Sequence, residues 1–315
     1  MTTLALSPFM MNGAYPPRAG NRVRLLVDGE PAFRRICEAI EGSRCSVWAT
    51  VTFMWPEFEM PDGRGSALDV LDRAARRGVD VRLIFWRPDA ETASYVRNAF
   101  RGGPEHHELL QRRGSHLRVR WDRAHPGYCQ HQKTWLVDAG GETASAFVGG
   151  INLNPHSVVV PGHDGEAQNH HVYVELAGPA IVDVHHNFVQ RWNEASERHA
   201  TDGGWGFGSE LDLPFPDALP AEQGTAGVQI QRTTHPGRYS DGTATPGGRS
   251  CDIASGEQPI FEQYCSAIRA ARRSIYVENQ YVEVAEIVGA LKEALQRGVE
   301  VVLLMPAAPD ISPHL

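Results

Sequence analysis

Lysine is nearly absent from this chain. Of its 30 basic residues all but Lys133 and Lys292 are arginine. Long apolar runs are missing too: nowhere do 18 apolar residues follow one another, which excludes a membrane-spanning helix. Positive charge is in deficit, with a formal net charge of −8. That balance argues against nucleic acid as the main partner. Cysteine is sparse and odd in number, at positions 37, 45, 129, 251 and 265. Five scattered cysteines build no disulfide framework and read as free thiols in a reducing compartment. The opening Met1-Thr2-Thr3-Leu4-Ala5-Leu6 has neither a basic region nor a long apolar region, so a secretory leader is not indicated. The expected setting is the cytoplasm, peripheral to a membrane at most.

Against so lysine-poor a background, the position of Lys133 is informative. Residues 131–138 read His-Gln-Lys-Thr-Trp-Leu-Val-Asp, and Gly149-Gly150-Ile151-Asn152 follows. By composition, the spaced His, Lys, Asp triplet arises by accident with a chance on the order of one in a hundred or less. From Gln130 to Asp138 the aromatic and β-branched content predicts a strand, so His131 and Lys133 project from one face. Ala139-Gly140-Gly141-Glu142 reads as a turn and Ala144 to Gly149 as the returning strand. Asn152 then falls near the start of the first strand.

A histidine, an ammonium and a carboxamide at one point suit phosphodiester chemistry. Imidazole titrates near neutrality and can attack phosphorus as a free base, giving a phosphohistidine. Lys133 and Asn152 would hold the non-bridging oxygens. Asp138 would hold a ring nitrogen of His131 and set its tautomer, as a triad carboxylate does.

These residues resemble the signature of the phospholipase D superfamily, H-x-K-x4-D followed by G-G/S-x-N. Three further stretches carry the resemblance. His170-His171-Val172-Tyr173 through Gly178-Pro179 is similar to the family's W-H-D-x-H-x-x-x-x-G-P segment, with His171 where the family usually has Asp. Asn187-Phe188-Val189-Gln190-Arg191-Trp192-Asn193 resembles its F-x-Q-R-W-N helix. Ser274 to Tyr281 resembles the I-Y-I-E-N-Q-Y/F strand. The resemblance implies a layered α/β/α fold with a mixed sheet flanked by helices. It also implies a phosphodiesterase or transphosphatidylase acting on a phospholipid, with no cofactor and no metal. Whether water or an alcohol accepts, as in a cardiolipin-synthase-like transferase, stays open, and a nuclease acting as a homodimer is the alternative within the family. Beyond His131, Lys133, Asp138 and Asn152, it points to Gly150, His170, Arg232, Glu278, Asn279 and Gln280 as supporting residues. The histidines 156, 163, 170 and 171 with Asp164 have spacings that match no standard zinc site.

An internal repeat is visible without the family. Phe33 to Ile40 aligns with Phe261 to Ile268, and Arg77-Gly78-Val79 through Phe85 with Arg297-Gly298-Val299 through Met305. Each copy reads helix, strand, helix, glycine stop, strand. The expected organisation is a first repeat over 1–200 carrying the motif, a linker over 201–227 rich in Gly, Pro and Thr, and the start of a second repeat over 228–315. No second His-x-Lys occurs. Three explanations stand: a fragment of a longer enzyme, which the broken-off second repeat favours; a homodimer in which each chain supplies His131; or a phosphodiester-binding domain without turnover. The apolar strand 299–305 is expected to lack neighbours. Arg112, Arg113, Arg118, Arg120 and Arg123 precede the motif as a basic cluster whose simplest reading is a solvated edge. Phe53, Met54, Trp55, Phe58 and Met60 fit a lipid-accepting cleft and a core equally well.

Overall fold

In the computed structural model, the described residues are 13, 15–88, 99–100, 102–125, 128–163, 169–199 and 208–306. Of the positions named above, Met1–Leu6 and Asp164 lie outside them. The chain divides into two compact units: a larger one of 14–230 with 241–251, and a smaller one built mainly of 231–240 and 252–315.

The larger unit contains β1 (Arg18–Val27), α1 (Gly29–Gly42), β2 (Ser46–Val51), β3 (Glu59–Met60), β4 (Gly65–Ser66), α2 (Ala67–Arg76), β5 (Asp80–Trp86), α3 (Pro104–Arg112) and β6 (Arg118–Asp122). These are followed by β7 (Lys133–Val137), β8 (Ser145–Gly149), β9 (Val172–Ala177), α4 (Ile181–Asn193) and β10 (Ala226–Val228). Eight strands form one mixed sheet in the order β10-β1-β9-β8-β7-β2-β5-β6. The β2–β5 and β5–β6 pairs are parallel and the others antiparallel.

Strand parity sorts the side chains into two layers. Val47, Ala49 and Val51 of β2, Leu83 and Phe85 of β5, and Trp135 and Val137 of β7 enter one core with Phe33 and Ile36 of α1 and Leu68 and Leu71 of α2. Trp48, Ile84 and Leu136 point the other way, onto Ile181, Val184, Phe188 and Trp192 of α4. This is the layered α/β/α arrangement. Every residue of β2 and β7 is buried, because helices cover both faces of these central strands.

Within the stretch 201–227, residues 211–215 pack on the larger unit. Leu211, Leu213 and Phe215 pack on the α4 layer, and the Trp192 indole N–H donates to the Leu211 carbonyl at 2.8 Å. Asn193 is held by Leu213 through both its amide and its carbonyl, each at 2.8 Å.

The smaller unit holds α5 (Pro259–Ala270), β11 (Ser274–Glu278), α6 (Ala285–Gln296) and β12 (Glu300–Leu304). Here one expectation needs correction: the strand near 299–305 is paired, since β12 runs parallel to β11 in full register. The helices α5 and α6 cover the pair through Ile268, Leu291 and Ala294, which supplies the apolar contact that fixes it. The local geometry repeats that of α1–β2–α2–β5. Arg77 donates to the Ile40 carbonyl at 2.8 Å and Arg297 to the Ile268 carbonyl at 3.0 Å. Gly78 and Gly298 both sit at positive φ, 90° and 84°, where a glycine ends a helix without strain.

The arginine cluster lies along the edge strand β6 as expected, with Arg112 and Arg123 exposed, but most of its members are paired and Arg120 is buried. Arg113 pairs with Asp69 and Asp72, Arg118 with Asp80, and Arg123 with Glu197. Arg120 is fully buried, with Asp212 at 2.8 Å, the Trp192 and Gly208 carbonyls as acceptors, and its guanidinium 4.5 Å from the Trp192 ring centroid. Removing one partner of a buried ion network strands the other charge. Arg120→Ala is therefore expected to cost about 3–5 kcal/mol in urea unfolding. Arg118→Ala, at a pair open to water, is expected to cost less than about 1 kcal/mol.

Candidate active site

The site grows from the β7–β8 hairpin. The strand begins at Lys133 rather than Gln130, so His131 lies just ahead of it. Gly149 is the cross-strand partner of Lys133, which brings the 149–152 segment beside the lysine. The turn forms where expected, with the Gly141 N–H donating to the Asp138 carbonyl at 2.9 Å.

Lys133 is buried, at 3% exposure. Its ammonium donates to the His131 carbonyl at 3.0 Å and to the Thr52 hydroxyl at 3.3 Å, and lies 5.8 Å from the Phe53 ring centroid. Both hydrogen-bond partners are neutral. Burial lowers the Lys133 pKa from its ordinary 10.5 to about 7. The His131 ring stands edge-on to Phe53 with centroids 5.8 Å apart. The residue is exposed at its rim, yet its ring is crowded by protein atoms. That desolvation, followed by the Lys133 and His171 charges, lowers its pKa to about 4. Burial, then the same lysine and His170, pushes His171 down as well.

Asn152 lines a small recess with Lys133, Thr50, Phe53, Trp135 and Tyr173. Its Oδ1 and the Thr50 hydroxyl are buried without a hydrogen-bond partner. Such groups carry unused capacity for a polar ligand. Gly150 lets the His171 ring lie close to the backbone: a Cβ there would stand 1.9 Å from that ring. The Tyr173 hydroxyl donates to the Ile151 carbonyl at 3.2 Å and so holds the segment in place.

Asp138 does not hold His131. Its carboxylate accepts the backbone N–H groups of Arg44, Cys45 and Ser46 at 2.7–3.2 Å, closing the α1–β2 loop. It stands beyond the far end of the five-residue β7, about 17 Å of strand at 3.3 Å per residue. The expectation of a triad carboxylate fails because a strand separates the two side chains. His170 joins Asp28 at 2.6 Å. Arg232 pairs with Glu257 within the smaller unit, and Glu278, Asn279 and Gln280 are exposed at the end of β11. The apolar stretch after β2 divides: Met54, Phe58 and Met60 are core, whereas Phe53 reaches the site. Thr52 went unnoticed in the sequence. Its signal was its place one step beyond a strand paired with β7.

No protein-family model matches the chain. Cardiolipin synthase A of Pseudomonas putida is 28% identical over 303 residues, covering 95% of this chain and 53% of that protein. Cardiolipin synthase A of Pseudomonas entomophila (strain L48) is 27% identical over 303 residues with the same coverage. The chain thus spans about half the length of the curated relatives it matches. Among solved structures, phosphatidylserine synthase of Haemophilus influenzae Rd KW20 has the same fold, with a TM-score of 0.53, 11% identity, and coverage of 90% of this chain and 61% of that one. These similarities agree with the resemblance to the phospholipase D superfamily that the sequence motifs carry.

The electrostatics set a pH window. His131 is neutral above about pH 4 and Lys133 is charged below about pH 7. A dialkyl phosphate keeps one negative charge throughout this range, so its affinity is expected to fall about tenfold per pH unit above 7, with one proton taken up on binding. Calorimetry in buffers of different ionisation enthalpy checks this; an affinity flat to pH 9 would contradict it. The same lysine weakens the fold. Between pH 7 and 10.5 the unfolded chain binds more protons than the folded one, so stability rises with pH through that window. Lys133→Met is expected to raise Tm, most at or below pH 7 and little near 10.5, while removing phosphate affinity. Asp138→Ala is expected to lose about 2 kcal/mol or more of stability and to leave the dialkyl phosphate affinity of the folded protein unchanged.

Proposed function

We propose that this chain carries one half of a phosphatidyl-transfer site of the cardiolipin-synthase type. His131 attacks the phosphorus of a phospholipid diester, the P–O bond to the leaving alcohol breaks, and a P–N bond to the imidazole forms. Lys133 and Asn152 bind the non-bridging oxygens. An alcohol on a second phospholipid then takes the phosphoryl group and restores His131. The observation that carries the reading is the placement of His131 just ahead of the strand that opens with the buried ammonium of Lys133, with Asn152 lining the same recess as that lysine. The relatives favour transfer to an alcohol over hydrolysis, since those named for a product are synthases.

Protonating an alkoxide leaving group calls for a second acid, and the 315 residues hold no second His-x-Lys. The α5–β11–α6–β12 unit is read as the beginning of a second copy of the α1–β2–α2–β5 layer. The acid then comes from a further motif on a longer polypeptide or from His131 of a second copy. The membrane is met as a substrate surface; among the described residues no helix is long and apolar enough to cross one.

A diester with p-nitrophenolate as leaving group departs without an acid, so it isolates the first step from the missing half. Mixing bis(p-nitrophenyl) phosphate with the chain is expected to release up to one equivalent of nitrophenolate as a burst. It should leave an acid-labile, base-stable phosphoramidate on His131. His131→Ala should show neither. A burst that survives in His131→Ala, or no burst in the wild type, would overturn the reading.

A further inference from the structure

Asp28 sits at the junction of β1 and α1, in the N-cap position and in a left-handed conformation with φ of 68°. An N-cap aspartate ordinarily turns its carboxylate back onto the first free N–H groups of the helix. Asp28 makes no such bond. Its carboxylate, with the residue 2% exposed, faces two histidines instead. His163 Nε2 is 3.0 Å from one oxygen and His170 Nδ1 2.6 Å from the other. One ligand atom from each of the three residues falls within 4.8 Å of the other two. His163 is itself left-handed, at φ 54°. Left-handed residues other than glycine cost energy and cluster at functional sites.

The backbone holds this set in place from several directions. The Asp28 N–H donates to the His171 carbonyl at 2.8 Å, fixing the residue next to His170. Glu30 N–H donates to the Val159 carbonyl at 3.1 Å, which ties that stretch to the start of α1, and Asn169 N–H donates to the His156 carbonyl at 3.1 Å, which joins the stretch before His163 to the one bearing His170. Gly29 permits this approach, because a Cβ there would stand 1.6 Å from the Ser157 carbonyl oxygen. Both histidine side chains remain 39% exposed, leaving an open side to the cluster. Sequence spacing concealed the site, since 135 residues separate Asp28 from His163.

We propose that Asp28, His163 and His170 form a binding site for a divalent transition ion of the zinc class, with at least one coordination position open to solvent. Two imidazoles and one carboxylate are a donor set suited to zinc. Donor atoms about 2.0–2.2 Å from a tetrahedral ion stand a little over 3 Å from one another, which the three side chains reach by small rotations from their present spacing. The buried carboxylate supplies the charge that the ion requires, and the backbone bonds supply the order. The ion would pin the segment after Asn152 to the start of α1, adjacent in the chain to the His171 that packs on Gly150. The proposal does not rest on phosphatidyl transfer, and its test does not read activity.

Untagged full-length chain, stripped with EDTA and dialysed, is titrated with zinc against a chromophoric chelator, with metal content measured after gel filtration. One equivalent is expected to bind and to raise Tm. The double variant His163→Ala/His170→Ala, and separately Asp28→Asn, are expected to bind at least 100-fold more weakly. His156→Ala, which removes an exposed histidine from the same loop, should bind like the wild type. The double variant alters two half-exposed side chains, and its circular dichroism and melting without zinc confirm that it is folded. If the wild type takes up no zinc, or the folded double variant keeps the wild-type stoichiometry and affinity, the cluster is a carboxylate–imidazole network without a metal and the proposal fails.

Discussion

A buried ammonium without a carboxylate partner is the constraint on which the larger unit depends. Lys133 occupies the first position of a strand packed on both faces, and its hydrogen-bond acceptors are one carbonyl and one hydroxyl. Burying a charge this way costs stability unless an opposite charge arrives. The surrounding layers must therefore be rigid enough to hold the group where it would not go unaided. They are: Trp135 and Phe147 close one side and α4 with Trp192 the other. On the proposed function, a phosphate diester supplies the missing negative charge, and binding relieves a cost that the fold has already incurred, a form of preorganisation.

Arginine plays the opposite part. The arginines of this structure are largely committed to ion pairs and carbonyls: Arg18 to Asp183, Arg35 to Glu175, Arg120 to Asp212 and two carbonyls. A planar guanidinium with five donors is suited to such fixed, multi-partner roles, and it does not lose its charge on burial. Lysine can lose its charge, and a site that binds and releases an anion benefits from that. The near-absence of lysine is thus consistent with a division of labour: arginine joins elements, and Lys133 titrates.

What was legible in the sequence followed from short-range pattern. The hairpin, its turn and the approach of Asn152 to Lys133 came from period and turn chemistry, which act over a few residues, whereas the α/β/α layering came from the family resemblance. The burial of Arg120 was not legible, because the alternation of β6 alone does not tell which face meets another helix. The partnership of Asp28 with His163 and His170 was hidden for the same reason: nothing local announces a contact across the fold. His170 was flagged for a family position, and its neighbour in space is an aspartate that no spacing rule reaches. Phe53 and Met54 are adjacent and equally apolar, yet one faces the site and the other the core. Strand parity separates them only once the partner strands are known.

Asp138 shows how a motif can be recognised correctly and its chemistry misassigned. The four residues between Lys133 and Asp138 are the remainder of β7, so the interval measures a strand. A side chain at the start of a strand and one just past its end cannot meet. Asp138 adopts a left-handed φ of 53°, and its carboxylate gathers three consecutive backbone N–H groups from the start of β2, the neighbour of β7. That clasp fastens the end of the β2–β7 pair away from the site, while the ladder itself, from Val47 opposite Val137 to Thr50 opposite Thr134, holds Thr52 against the segment bearing Gln132 and Lys133. A residue far from the reacting atoms thereby contributes stability rather than the place of the ammonium. The spacing of the motif records a mechanical requirement at one end and a chemical one at the other, joined by the four buried residues 134–137, which need only pack and stay extended.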